Sequence, residues 1–304
     1  MRWVILVILG LVGWVPAWAA IHVILSASDW SYEEASDAFK DALGGTTQVA
    51  VQSLDNVEPD SVRVLTRPDT LLVPIGMKAA QFVAEHARGQ ASVLGLMVPS
   101  ATTEQLPIRK ASGSQSYVYV DQPMERSLSL IQLVLPAASR VGVVVSENNR
   151  DVLQELGREA ARRRLSIQSA VVRDAGEVGP ELRRVLSESD VFLLIPDALV
   201  LGGSNLRVIL EASYRLRVPV IGFSPGLVKA GAVAAVYSTP SQIGGQGGVM
   251  ARRWLAGGGL PNPQTADQFA VGFNGHVARS MGLVFPSERD VVKAIEARTH
   301  GSDR

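Results

Sequence analysis

Residues 190–238 alternate three apolar runs with two helical segments, and this alternation constrains the fold more than any other feature of the chain. The runs are 191–195, 218–222 and 232–237, and each ends in a small polar cluster. Alternation of this kind is typical of parallel strands joined by crossover helices. Ligands bind just beyond the carboxyl ends of such strands. The sequence therefore predicts a binding site at one edge of an open parallel sheet.

The same alternation occurs in two series, 22–98 and 140–237, each with four or more predicted strands. Two such series predict an α/β protein with two doubly wound, Rossmann-like lobes. We expect residues 21–121 and 240–262 to form the N-terminal lobe, and residues 122–239 and 263–297 to form the C-terminal lobe. A single long β/α domain is the alternative.

Three short segments, 121–123, 238–240 and 260–263, are the best candidates for chain crossings between the two lobes. A hinge made of several crossings permits rigid-body closure of the lobes around a ligand. The predicted hinge residues are Asp121, Gln122, Thr239 and Pro261.

Residues 1–20 are typical of a cleaved secretory signal peptide. Arg2 supplies the positive start, residues 3–15 are apolar, and Ala17-Trp18-Ala19 supplies small residues for a cut after Ala19 or Ala20. A membrane anchor is the alternative, but the apolar run is shorter than the roughly 20 residues that a spanning helix needs. We therefore expect a periplasmic protein with no membrane span in its mature form.

The composition excludes several classes of function. The chain has no cysteine, which excludes disulfides, thiol chemistry and a lipid anchor at the cut. Its 29 basic and 29 acidic residues are mixed and form no basic stripe, which argues against a nucleic-acid partner. The four histidines have no metal-ligand spacing. We expect neither a metal nor a cofactor.

The strand ends of both series supply the candidate ligand contacts. Small residues there leave helix N–H groups open to a ligand carboxylate, and aromatic rings flank a flat group. Asp197 is suited to pairing with a ligand amine. Helix capping alone is the alternative for Asp197, Ser146 and Ser224. The predicted ligand-binding residues are Ser28, Asp29, Trp30, Gly76, Ser146, Asp197, Phe223 and Ser224.

Residues 222–226 read Gly-Phe-Ser-Pro-Gly, which matches the G-x-S-x-G pattern of a hydrolase nucleophile elbow. The oxyanion hole of that elbow uses the backbone N–H of the residue after the serine. Here that residue is Pro225, which has no N–H. We therefore expect no catalytic residue and no enzyme activity, with a serine hydrolase as a distant alternative.

Several segments resemble the bacterial ABC transporter substrate-binding proteins of the tryptophan/tyrosine type. They are YVDQP (119–123), RVGVVVS (140–146), VPVIGFS (218–224) and VPIGMKAAQ (73–81). The sequence departs from that family at Pro196-Asp197-Ala198, where the family has Pro-Thr-Asp-Asn.

This resemblance implies a two-lobed type I periplasmic binding protein that closes on a small ligand and presents it to an inner-membrane ABC permease. The implied ligand is an amino acid or a similar small carboxylate, aromatic ones included, and the expected state is a monomer. The alternative is a sensory or accessory module of the same fold that signals to a membrane kinase or receptor.

Overall fold

The computed structural model describes residues 20–45, 47–57, 67–103, 106 and 113–302, and these residues form two six-stranded sheets. The predicted signal peptide, apart from Ala20, lies outside the described residues. The expected α/β class with two mostly parallel sheets is confirmed.

The first sheet is wholly parallel. Its strands are β1 (Ala20–Leu25), β2 (Val49–Ser53), β3 (Thr70–Ile75), β4 (Ser92–Val98), β5 (Gln115–Tyr119) and β11 (Gln264–Thr265). Their order is β11-β5-β4-β3-β1-β2. The associated helices are α1 (Trp30–Leu43), α2 (Met77–His86), α3 (Ser100–Thr103) and α10 (Pro240–Arg253).

The second sheet is parallel except at one edge. Its strands are β6 (Arg140–Ser146), β7 (Ser166–Val172), β8 (Val191–Leu193), β9 (Val220–Gly222), β10 (Ala234–Tyr237) and β12 (Ala270–Phe273). Their order is β12-β10-β9-β8-β6-β7, and β12 runs antiparallel to β10. The associated helices are α4 (Met124–Val134), α5 (Val152–Arg162), α6 (Ala175–Ser187), α7 (Ala198–Leu201), α8 (Asn205–Arg215), α9 (Pro225–Ala230), α11 (Gly275–Ser280) and α12 (Glu288–Ser302).

Each sheet separates two apolar cores, because successive side chains of a strand point to opposite faces. In β3, Leu71 and Val73 belong to one core, and Leu72 belongs to the other. In β6, Val143 and Val144 divide in the same way. Burial on both faces explains why the strands read as continuous apolar runs in the sequence.

The helix pair α1 and α10 covers one face of the first sheet and is very closely packed. The run GGQGG (244–248) lies inside α10. A Cβ atom on Gly244 would overlap the carbonyl oxygen of Ala35 in α1, and one on Gly248 would overlap that of Phe39. The glycines therefore let the two helix backbones approach more closely than any side chain would allow.

The chain passes between the sheets three times. Residues 120–123 connect β5 to α4, residues 238–239 connect β10 to α10, and residues 266–269 connect β11 to β12. The third crossing differs from the expectation of 260–263. Pro261 lies before β11, which pairs with β5 of the first sheet, so this proline segment does not cross between the sheets. The pairing of two residues at a sheet edge has too weak a sequence pattern to be read in advance.

Candidate functional site

A cavity of about 440 Å³ lies between the two sheets, beside the crossings. The first-sheet side supplies the residues after β4 and β5, and the second-sheet side supplies the ends of β8, β9 and β10, the segment after β6 and the start of α4. The cavity is thus built at the carboxyl ends of both sheets, where open parallel sheets bind ligands. Its lining residues are Pro99, Ser100, Ala101, Val120, Asp121, Gln122, Pro123, Met124, Ser127, Asn149, Val152, Glu155, Leu193, Leu194, Ile195, Pro196, Phe223, Ser224, Pro225, Tyr237, Ser238 and Thr265.

A larger depression of about 580 Å³ lies elsewhere, at the amino ends of the second-sheet strands. It is lined by residues such as Pro136, Arg217 and Val284, and Val284 is 92% exposed. All of its lining belongs to the second lobe and its connections. We therefore take the cavity shared by both sheets as the candidate site.

Two of the predicted ligand-binding residues, Phe223 and Ser224, line this cavity. They follow β9, and both are half-buried. Ser224 is the N-cap of α9, and its Oγ accepts a hydrogen bond from the N–H of Leu227 at 3.3 Å. The Ser224 backbone is extended, with φ of −153° and ψ of 157°. This unstrained cap differs from the sharp, strained turn of a nucleophile elbow.

Ser28, Asp29 and Trp30 follow β1 and are exposed, Trp30 by 70%. They are not part of the cavity lining. Asp29 is the N-cap of α1 and accepts hydrogen bonds from the N–H and the hydroxyl of Ser31. These bonds lower the pKa of Asp29. Asp29 therefore has a capping role in the described structure.

Gly76 is buried, is not part of the cavity lining, and lies at the turn between β3 and α2. Its φ is +88°, and a Cβ there would lie 2.6 Å from both Ser26 Oγ and Tyr32 Cε1. Ser26 Oγ in turn accepts a hydrogen bond from the N–H of Ala79 at 2.9 Å. The tight contacts and the left-handed backbone together require glycine at this position.

Asp197 and Ser146 are brought together, as buried partners of each other. The Asp197 carboxylate accepts hydrogen bonds from the N–H of Ser146 (2.7 Å) and from Asn149 Nδ2 (2.9 Å). It also caps α7 through the N–H groups of Leu199 (3.0 Å) and Val200 (3.1 Å). Four hydrogen bonds occupy this carboxylate, so it ties β6 to α7 rather than presenting itself to the cavity.

The three crossings are bonded to one another. Gln122 Nε2 of the first crossing donates to Ser238 Oγ of the second at 2.8 Å. Ser238 Oγ donates to the carbonyl of Gln268 in the third at 2.7 Å. Thr239, also predicted as a hinge residue, forms a capping box with Gln242 at the start of α10.

Arg126 completes this link. Its guanidinium donates to Gln122 Oε1 (2.9 Å) and to the carbonyls of Ala266 and Asp267 (both 2.8 Å). It also stacks over the Phe269 ring, 4.4 Å from the centroid. One side chain in α4 therefore holds the first and third crossings together.

The sequence did not predict a site role for four residues of the cavity and the crossings, which are Arg126, Asn149, Met124 and Tyr237. Arg126 lies one helical turn after Gln122, which is the single sequence signal that pointed to it. The other three line the cavity from positions close to predicted strand ends. Their orientation depends on tertiary contacts.

Two classes of site have no support among the residues that the structure describes. No helix there combines the length and the apolar character of a membrane span. In the same ranges, no group of three histidine, aspartate or glutamate side chains is placed to hold a metal ion.

Solved structures show the fold class of the chain. Its structure is similar to the ligand-free, open structure of a substrate binding protein with adhesive properties from Clostridium difficile, with a TM-score of 0.69 and 18% identity over 88% of this chain and 96% of that one. It is also similar to an ABC domain in complex with L-Trp from Streptococcus pneumonia, with a TM-score of 0.60 and 18% identity over 91% and 98% of the two chains. Both likenesses support the two-lobed type I periplasmic binding fold.

Curated relatives match part of the chain. A tyrosine-binding protein of Clostridioides difficile (strain R20291) is 21% identical over 50% of this chain and 43% of its own length. An uncharacterized protein of Rickettsia prowazekii (strain Madrid E) is 21% identical over 62% of this chain and 58% of its own. The chain thus spans about half the length of the curated relatives it matches.

A family model described as ABC transporter substrate binding protein matches residues 40–294, which contain all twelve strands except β1. The match includes the whole second sheet, five of the six strands of the first sheet, all three crossings and every residue of the cavity lining. The chain therefore belongs to the ABC transporter substrate binding protein family.

Proposed function

We propose that this chain is the periplasmic solute-binding component of an ABC-type uptake system. It binds an amino acid or a similar small carboxylate, aromatic ones included, by closing its two lobes on the cavity, and it has no catalytic activity. The observation that carries the proposal is a cavity lined by both sheets directly beside three short crossings. Its partner is an inner-membrane permease, and the protein is a monomer.

The lining of the cavity suits a small ligand with an apolar or flat part. Phe223 and Tyr237 supply rings, and Met124, Val152 and Ile195 supply apolar surface. Polar groups come from the hinge, from Asn149 and Glu155, and from the hydroxyls of Ser100, Ser127, Ser224 and Thr265. Such groups fix the orientation of a small ligand. The relative that is named for tyrosine binding and the neighbour solved with L-Trp support an aromatic amino acid as the first ligand to test.

A thermal-shift screen of the purified chain from Ala20 onward tests this function. Amino acids, purines, sugars and small acids are compared, and we expect at least one aromatic amino acid to raise the unfolding temperature by several degrees. A ligand present at 100 times its dissociation constant stabilises the folded state by about 2.7 kcal/mol.

The control for this screen compares two aromatic substitutions. Phe223→Ala removes a cavity ring and is expected to reduce the shift, whereas Trp30→Ala removes an exposed ring outside the cavity and is expected to leave it unchanged. A screen in which no small molecule shifts the transition would refute the proposed function.

If the lobes close about the crossings, Arg126 has a structural role, because it joins the first crossing to the third. We expect Arg126→Ala to lower the free energy of unfolding by about 2 kcal/mol, because it removes three charge-assisted hydrogen bonds and a ring contact between crossings. Urea unfolding measures this change. Arg207→Ala is the matched control, since Arg207 pairs with Glu211 on an exposed helix face and its loss should have no measurable effect. Equal effects of the two substitutions would contradict the role given to Arg126.

A further inference from the structure

Asp121 is placed where a ligand, both lobes and the hinge meet. It follows β5 in the first crossing and is one of the residues that line the cavity. Its Oδ2 accepts a hydrogen bond from the N–H of Ser100 at 2.5 Å, which fixes the carboxyl at the carboxyl end of β4. Asp121 is part of the cavity lining, whereas Asp197 is not, and the carboxylate of Asp197 is occupied by four hydrogen bonds.

The described lining of the cavity is acidic. It contains two carboxyl groups, Asp121 and Glu155, and no lysine, arginine or histidine. Glu155 is exposed on α5, whereas Asp121 is half-buried. Among the described residues, no cationic side chain forms a salt bridge with Asp121.

The cation closest in sequence to Asp121 is already engaged. Arg126 donates its hydrogen bonds to Gln122 and to the carbonyls of Ala266 and Asp267, so its guanidinium is oriented toward the third crossing. Within the part of the chain that the structure describes, Asp121 therefore has no cationic partner.

A carboxylate in such a position lacks the compensation that buried charges normally have. Burial raises the pKa of Asp121 above the ordinary aspartate range, although hydrogen bonds from Ser100 act in the opposite direction. A ligand ammonium group would supply the missing charge and strengthen the interaction as closure removes water.

We propose that Asp121 is the residue that binds the ammonium group of the ligand, and that the cavity selects for primary amines with a flat apolar body. This inference rests on the proposed binding function and deepens it. The ammonium group is required, whereas a ligand carboxylate contributes less, because the described lining offers it neutral donors such as the hydroxyls of Ser127 and Ser224 and no cation. Amines without a carboxylate are therefore expected to bind with affinities within about tenfold of those of the matching amino acids.

Two sets of three probes that share a ring system test this selection by calorimetry on the purified chain. Tryptamine has only the amine, L-tryptophan has both groups, and indole-3-propionate has only the carboxylate; tyramine, L-tyrosine and 3-(4-hydroxyphenyl)propionate form a second set. We expect the amines and amino acids to bind with affinities within about tenfold of each other, and the propionates to bind at least about tenfold more weakly.

Asp121→Asn isolates the charge, because an asparagine oxygen can still accept the hydrogen bond from Ser100 N–H. We expect this variant to weaken binding of the amine-bearing probes by at least about tenfold and to remove their advantage over the propionates. Glu85→Gln is the control and should change affinities by less than about threefold, because its side chain is exposed on α2 and is not part of the cavity lining. A residue that only holds the turn would not change the ratio between amines and propionates.

The outcomes separate the two claims. If the propionates bind as well as the amines, or if Asp121→Asn leaves the ratio unchanged, the amine inference is overturned while the binding function stands. If none of the six probes binds, the amine inference is also overturned, and the wider thermal-shift screen decides whether another ligand class preserves the binding function. If that screen also finds no ligand, both claims fail.

Discussion

Replacing Gly244 with alanine is expected to destabilise the protein by about 1–2 kcal/mol. The added methyl group would overlap backbone atoms of Ala35, and a backbone segment inside a helix has no alternative rotamer to adopt. Helix α1 would have to move away from α10, which disturbs the core under both helices. Overpacking of this kind costs about 1–3 kcal/mol or more. The gain of about 1 kcal/mol in helix propensity offsets part of it. Urea unfolding measures the difference.

Gly245 provides a matched control in the same helix. A Cβ atom there has nothing within 4 Å, so Gly245→Ala should stabilise the protein by about 0.5–1 kcal/mol through helix propensity alone. Opposite signs for these neighbouring substitutions would confirm the close contact between α1 and α10. A stabilising Gly244→Ala would refute it.

Asp197→Ala is the second substitution with a large expected effect. It removes the acceptor of four hydrogen bonds and leaves the buried N–H of Ser146 and the cap of α7 without a partner. We expect a loss of about 3 kcal/mol, since each stranded buried donor costs about 1–3 kcal/mol. Asp174→Ala is the control: Asp174 caps α6 on the exposed surface and should cost about 1 kcal/mol.

Low pH should reduce the difference in unfolding free energy between the wild type and Asp197→Ala. Burial by itself raises the pKa of Asp197, but the hydrogen bonds from Ser146, Asn149 and Val200 outweigh it and lower the pKa below its usual range. A lowered folded-state pKa stabilises the protein above the unfolded pKa of about 3.9, and this contribution is lost as the pH falls through the folded value. The gap between wild type and Asp197→Ala should be constant above about pH 5 and should narrow below about pH 4.

This experiment also separates a structural role from ligand contact at Asp197. A variant with unchanged stability at neutral pH and no ligand binding would contradict the structural role and restore Asp197 as a contact residue.

The sequence predicts where the strands end, and this is the part of the candidate site that could be located in advance. Phe223 and Ser224 line the cavity because parallel strands bring their carboxyl ends to one edge, and a strand followed by small polar residues is visible in the sequence. The first two crossings were predicted for a similar reason, because each follows a strand and contains a proline.

Side-chain orientation was not predictable in the same way. Asp197 and Ser146 are 51 positions apart, and their mutual hydrogen bond decides that the carboxylate caps a helix. Aspartate and serine serve caps and ligand contacts equally well at the same positions, so residue type does not distinguish these roles. Asp121 shows the converse, because a residue predicted for the hinge also lines the cavity.

The glycines of α10 could be recognised only as a run. Their meaning depends on Ala35 and Phe39, which lie more than 200 positions earlier in the chain. A glycine run inside a helix normally weakens it, and the approach of a second backbone explains the glycines at 244 and 248.

The hydrogen bonds among the three crossings restrict how the two lobes can move. Because the crossings are short and joined to each other, we expect the proposed closure to be one rotation, with little twisting or sliding of the lobes. One distance between the two lobes, measured across the cavity, is then enough to tell the open form from the closed form. Because the chain has no cysteine, thiols introduced at the exposed positions Ser28 and Glu147, which follow strands of different sheets, would be the sole labelling sites for a spectroscopic ruler.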